Sequence, residues 1–188
     1  MNNFNIVLIG ILLFQFLNVG ITQNSNQTKK SKMSKYKELN GEDLVGEVFV
    51  DISQELWYGK EKNKNYISTM ALQKKVIYKT YALEMAVNNG GFFQVLYDKG
   101  DEFLLDLPEC LKAIGANKHA EIVEKAIKLI KENEKYINRA GEYINSFDEK
   151  FATEALNALD SEFYNQSEID NILKLQAKYI TENFSAFD

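Results

Sequence analysis

The stretch STMALQKKVIYKTYALEMAVNNGG, residues 68–91, decides the fold class. Leu72, Val76, Leu83 and Val87 fall close to one stripe of a 3.6-residue helix, and Ile77, Tyr81 and Met85 widen that stripe. No apolar-polar alternation supports a strand. Asn88, Asn89, Gly90 and Gly91 tolerate the left-handed backbone that a helix terminus adopts. The spacing therefore predicts a helix that stops there, followed by a short second helix over residues 92–97.

The same period extends to both sides. Residues 42–57 place Leu44, Val45, Val48, Phe49, Ile52 and Leu56 on one face. Pro108 suits a first helical turn and Gly115 a helix end. Asn117 reads as the N-cap of a helix with Ile122, Val123, Ala126, Ile127, Ile130 and Ile137 inward and Lys125, Lys128, Lys131 and Lys135 outward. Residues 149–164 and 168–184 complete the set, the second opened by Ser167 with Asp170 three residues on. With one proline and ten glycines in 188 residues, breakers are few and helices should be long. The expectation is all-α: a single domain of six or seven packed helices over residues 36–188.

Composition excludes several chemistries. The chain has 22 Lys plus Arg against 27 Asp plus Glu, a net charge of -5, and Arg139 is its only arginine, so direct nucleic-acid binding is not expected. One histidine, His119, and one cysteine, Cys110, cannot build a zinc site, an iron-sulfur cluster or an intramolecular disulfide. His119, one or two residues into a helix, is expected to be an ordinary exposed or capping side chain. No Gly-rich phosphate loop, G-x-S-x-G elbow or H-E-x-x-H is present. No catalytic residue, metal or cofactor is assigned.

The N-terminus carries no ionisable side chain before Lys29, and residues 6–21 read IVLIGILLFQFLNVGI. Sixteen residues suit the core of an export signal better than the roughly 20 of a membrane-spanning helix. Residues 1–23 are thus expected to form a signal peptide, with an uncleaved anchor as the alternative, and residues 24–35 a polar linker. The expected location is extracytoplasmic, periplasmic or secreted. The membrane is expected to be touched only through this segment, if it is retained. Without the lysines that flank it, residues 33–188 hold 19 basic and 27 acidic side chains, a more acidic domain than the whole chain suggests.

Residues 84–100, EMAVNNGGFFQVLYDKG, carry an N-G-G-F-x-Q core in Asn89, Gly90, Gly91, Phe92 and Gln94. Ile114, Gly115 and Ala116, LDSEFY at 159–164 and KYITENFSAF at 178–187 accompany it. Together these segments resemble a bacterial helical domain of otherwise unknown function, named for its occurrence in the C-terminal part of a DNA-mimic protein. The resemblance implies an all-α fold over most of the chain after about residue 45. In the member that named the family, it implies an acidic dimer that imitates the phosphate pattern of duplex DNA on a DNA-binding protein.

Two candidate surfaces follow. The motif turn offers Asn88, Asn89 and Gln94, with Glu84 one turn earlier on the same side, as binding residues; its structural alternative is a sharp interhelical turn with Phe92 plugging the core. The second surface is acidic. Between Gly141 and Asp170 stand eight acids and one base, and Asp148, Glu149, Glu154, Asp160 and Glu162 are the candidate face. At ~100° per residue Glu154, Asp160 and Glu162 fall near 0°, 240° and 80°, so one helix alone does not align them. The functional expectation is an exported, non-enzymatic interaction module. Its partner would be a protein, with a basic surface if the acidic face is used, and an acidic DNA mimic is the rival.

Overall fold

A computed structural model describes residues 32–60, 66–132 and 149–188. The expected signal segment, Asp148 and the surroundings of Gly141 and Arg139 lie outside the described residues. Lys32–Asp188 forms one compact unit, so its first helix begins inside the stretch expected to be linker. In chain order the helices are α1 (Lys32–Tyr36), α2 (Gly41–Lys60), α3 (Tyr66–Thr69), α4 (Leu72–Leu104), α5 (Leu107–Ala113), α6 (Asn117–Glu132), α7 (Glu149–Ile169) and α8 (Ile172–Glu182). A 3-10 turn, Phe184–Ala186, closes the chain. Among the described residues there is no strand, as the sequence predicts.

The core has two parts, and α4 contributes to both. Leu83, Phe92, Leu107, Leu111, Val123, Phe163 and Ile172 are buried where α4 meets α5, α6, α7 and α8. Tyr36, Leu44, Val45, Val48, Ile52, Ile77, Ile180 and Phe187 are buried where α1 and α2 meet α4, α8 and the terminal turn. Each such side chain contributes about 1.5–3 kcal/mol by leaving water. The α6 pattern follows the sequence: Ile122, Val123, Ala126 and Ile130 are inside, while Lys125, Lys128 and Lys131 face solvent.

Several polar groups in this interior are tied down. Gln176 on α8 donates to Thr80 Oγ1 at 3.0 Å, and that hydroxyl donates to Val76 O at 2.8 Å. Lys79 is 2% exposed, with its Nζ bonded to Phe103 O and to Asp106 just before α5; Lys75 reaches the same carboxylate at 2.8 Å. Burial works against ionisation of Asp106, but those two lysines hold its carboxyl below the usual range. The cluster fastens the C-terminal end of α4 to its N-terminal turns.

Three sequence expectations change. The predicted break at Asn88–Gly91 is a kink: Gly91 has φ +70°, yet the helix resumes at once and α4 runs for 33 residues. Ser167 is no N-cap, because α7 continues through it to Ile169. Asn171 caps α8 instead, its side chain accepting from Lys174 N–H at 3.0 Å. His119, expected at the surface, is fully buried on α6. Gly115 does end α5 as predicted, with φ +88° and the N–H of Ala116 returning to Leu111 O at 2.9 Å.

Candidate functional site

A positive φ inside a helix frees backbone groups that would otherwise bond along the axis, and buried groups of this kind need partners. Both partners at the Gly91 kink come from α7. Asp160 Oδ1 accepts from Phe92 N–H at 2.7 Å, and Tyr164 Oη donates to Val87 O at 2.6 Å. Gly91 is required twice over. Its backbone is left-handed, and a Cβ built on it would overlap the Asp160 carboxylate. Burial raises the Asp160 pKa, with the Phe92 N–H pulling the other way. Below the kink Phe92 packs edge-on against Phe163 with ring centroids 5.7 Å apart, which confirms its expected place in the core.

The same turns of α7 hold His119. The Ser167 hydroxyl donates to Phe163 O at 2.9 Å, so its lone pair is what meets His119 Nε2 at 3.1 Å. That arrangement fits the tautomer protonated on Nε2. Its Nδ1 is enclosed and has no hydrogen-bond partner among the described residues. Burial lowers the His119 pKa against a smaller upward pull from Asp170. With the hydroxyl proton committed to a carbonyl, this serine-histidine pair is not a nucleophile-base pair.

The predicted motif residues divide between surface and interior. Asn88 and Asn89 are exposed, and with Met85, 53% exposed, they share one face of α4 by their three- and four-residue spacing. Phe93 and Tyr164, 37% and 41% exposed, are also open to solvent near the kink. Gln94 is half-buried and folds back over Gly90, its Oε1 3.0 Å from where a Cβ would stand. Glu84 points inward. Its Oε2 is enclosed without a hydrogen-bond partner among the described residues, and burial, helped by Glu42 on α2, pushes its pKa up to about 7.

The acidic set is not used in one way. Glu154 and Glu162 are exposed on α7, and Glu162 pairs with Lys125 of α6 at 2.7 Å. Asp160 is the kink's acceptor. The side chain of Glu149 lies outside the described residues with that of Asp148. Sequence reasoning missed the staple role of Asp160 and Tyr164, although both stand in the LDSEFY segment singled out for its resemblance.

Among the described residues no three His, Cys, Asp or Glu side chains gather as a metal site, and no helix is long and apolar enough to cross a membrane. Cys110 is buried, and burial pushes its thiol up to about 11, far from a reactive thiolate. An apolar cleft lined by Leu83, Phe92, Leu107, Val123 and Ile130 leaves no space for a water molecule.

Both halves of the kink, N-G-G-F on α4 and L-D-S-E-F-Y on α7, fall within residues 68–183, which the sequence model for DMP19-like protein matches. The chain belongs to the DMP19-like protein family. The match begins at Ser68, so α1 and α2 precede it, while the stapled kink and the His119 pocket are inside it. No curated protein matches the chain at a significant level.

Proposed function

We propose that this DMP19-like protein is an exported, non-enzymatic interaction module that meets a protein partner through the uncharged face at the α4 kink. One observation carries this reading. Met85, Asn88 and Asn89 share one exposed face, with Phe93 and Tyr164 also open beside the kink, and residues 85–97 contain no acidic or basic side chain in a chain that is 26% charged. Such a face sheds its water at lower cost than a charged one, and its amides can pair with a partner's backbone. The staple from Asp160 and Tyr164 fixes its shape before binding, which reduces the entropy lost on association. Acid-base chemistry has little to work with here, because Glu84 faces inward and Asp160 is engaged by Phe92 N–H.

The test pairs Met85→Arg with Asn88→Arg, both at exposed positions. Partners cross-linked to the exported protein should be retained by the parent chain and weakened about tenfold or more by the double variant at unchanged thermal stability. Equal retention removes the face from consideration. Recovery of the protein in the cytosol, beginning at Met1, removes the export part.

Family membership favours a second reading, an acidic surface that competes with DNA for a basic protein. Glu154 supports it, being exposed and without an ion pair among the described residues. Asp160 and Glu162 support it less, since one caps a backbone N–H and the other is paired with a lysine. Displacement of duplex DNA from a basic partner at physiological salt, reduced by Glu154→Gln, would favour this reading over the first.

A further inference from the structure

Away from the kink, the C-terminal end of α2 presents aromatic side chains to solvent. Trp57 is 74% and Tyr58 70% exposed. Val50, seven residues before Trp57 and so nearly on its face, is 44% exposed, and Leu72 in the first turn of α4 is 59% exposed. The two helix ends are adjacent. Lys74, two residues after Leu72, bonds Glu55 at 2.8 Å, and Glu55 lies one turn before Tyr58. Lys32, where α1 begins, bonds the same carboxylate at 2.8 Å. The chain coming from the apolar run at residues 6–21 therefore joins the domain at the turn that carries the exposed aromatics. Lys32 and Lys74 share Glu55 at this corner, and Asp51 and Asp188 also act on Lys32.

We propose that this edge is a membrane-contact surface: Trp57, Tyr58 and Leu72 seat in the interfacial zone of a phospholipid bilayer. The inference rests on residues 6–21 entering the membrane and remaining attached. Indole and phenol rings are favoured where apolar chains give way to water, because each has an apolar body and a polar tip. Three such side chains would bind a bilayer weakly alone. The tether changes that. Residues 22–31 span at most about 36 Å, which holds the edge near a membrane at a millimolar-scale effective concentration.

Trp57 is the only tryptophan, so its emission reports this edge without labelling. The full chain is reconstituted with vesicles of phosphatidylcholine and phosphatidylglycerol and compared with the chain in detergent-free buffer. The expected result is blue-shifted emission on vesicles, acrylamide quenching reduced about threefold, and quenching by brominated acyl chains. Tyr58→Ser with Leu72→Ser, both at exposed positions, should leave sedimentation with vesicles intact while Trp57 regains its sensitivity to acrylamide. Trp57 as quenchable on vesicles as off them, in a chain that sediments with lipid, overturns the edge and leaves the membrane-directed segment standing. Failure to sediment overturns both. Shielding of Trp57 before lipid is added, whether or not it depends on concentration, shows that protein covers the edge and overturns the proposal.

Discussion

Replacing Glu84 with glutamine should change how stability depends on pH more than it changes stability itself. The carboxyl is enclosed on α4 near Glu42, with an ordinary pKa of 4.5 pushed up to about 7 by burial first and by Glu42 second. A native-state pKa above the unfolded one means that the folded protein binds more protons between those values. The stabilisation is therefore complete below about pH 4.5 and is lost as pH rises through about 7. At about 1.4 kcal/mol per pH unit of separation, the full swing is about 3 kcal/mol. Glutamine has the same shape and no proton to lose. Urea unfolding followed by circular dichroism at pH 4.5, 6, 7 and 8 gives the difference between variant and parent, in which titrations not coupled to Glu84 cancel. That difference should move by about 3 kcal/mol in favour of the variant from the lowest pH to the highest. Any constant offset reflects the amide's own fit and does not matter. Two parallel curves, within about 0.5 kcal/mol across the range, would refute the placement of Glu84 as an enclosed, unpartnered carboxyl.

The kink and the buried histidine give two more expectations. Gly91→Ala should cost about 2–5 kcal/mol, combining a left-handed alanine with loss of the Asp160 acceptor from a buried N–H, whereas Asp160→Asn, which keeps an acceptor oxygen, should cost far less than Asp160→Ala. Thermal melts of the three variants check that order. For His119 the lowered native pKa gives the opposite slope to Glu84: its contribution is present above about pH 6.5 and is lost as pH falls below that value. His119→Gln should flatten the acid side of the stability profile measured by urea titration.

Much of the fold was legible because helix periodicity is a local signal. The rows through Leu44, Val48 and Ile52 and through Ile122, Ala126 and Ile130 needed nothing beyond their neighbours. The continuation of α4 past Asn88–Gly91 was not legible in that way. Four residues that tolerate a helix end do not require one if distant groups satisfy the broken backbone, and here they come from 68 and 77 positions further along the chain. Ser167 misled for a related reason, since a hydroxyl that can cap a helix can also bond a carbonyl one turn back within it. The His119 pocket and the role of Asp160 did leave a trace. His119 stands in register with Ile122, Val123 and Ala126. Asp160 lies on the inward row with Leu156, Phe163 and Ser167. Weighing Asp160 as a surface charge and His119 as an exposed or capping side chain hid their position on buried faces.

The staple at Gly91 also makes two separate words of the sequence into one. N-G-G-F sets a backbone that is complete only when the aspartate and tyrosine of L-D-S-E-F-Y arrive, so neither segment can drift alone. A chain with a side chain at position 91 would have to displace the carboxylate at 160. Fragments obey the same bond. A piece ending at Glu132 would carry α4 with its interruption unanswered, so the natural unit for expression or exchange between proteins must reach through α7.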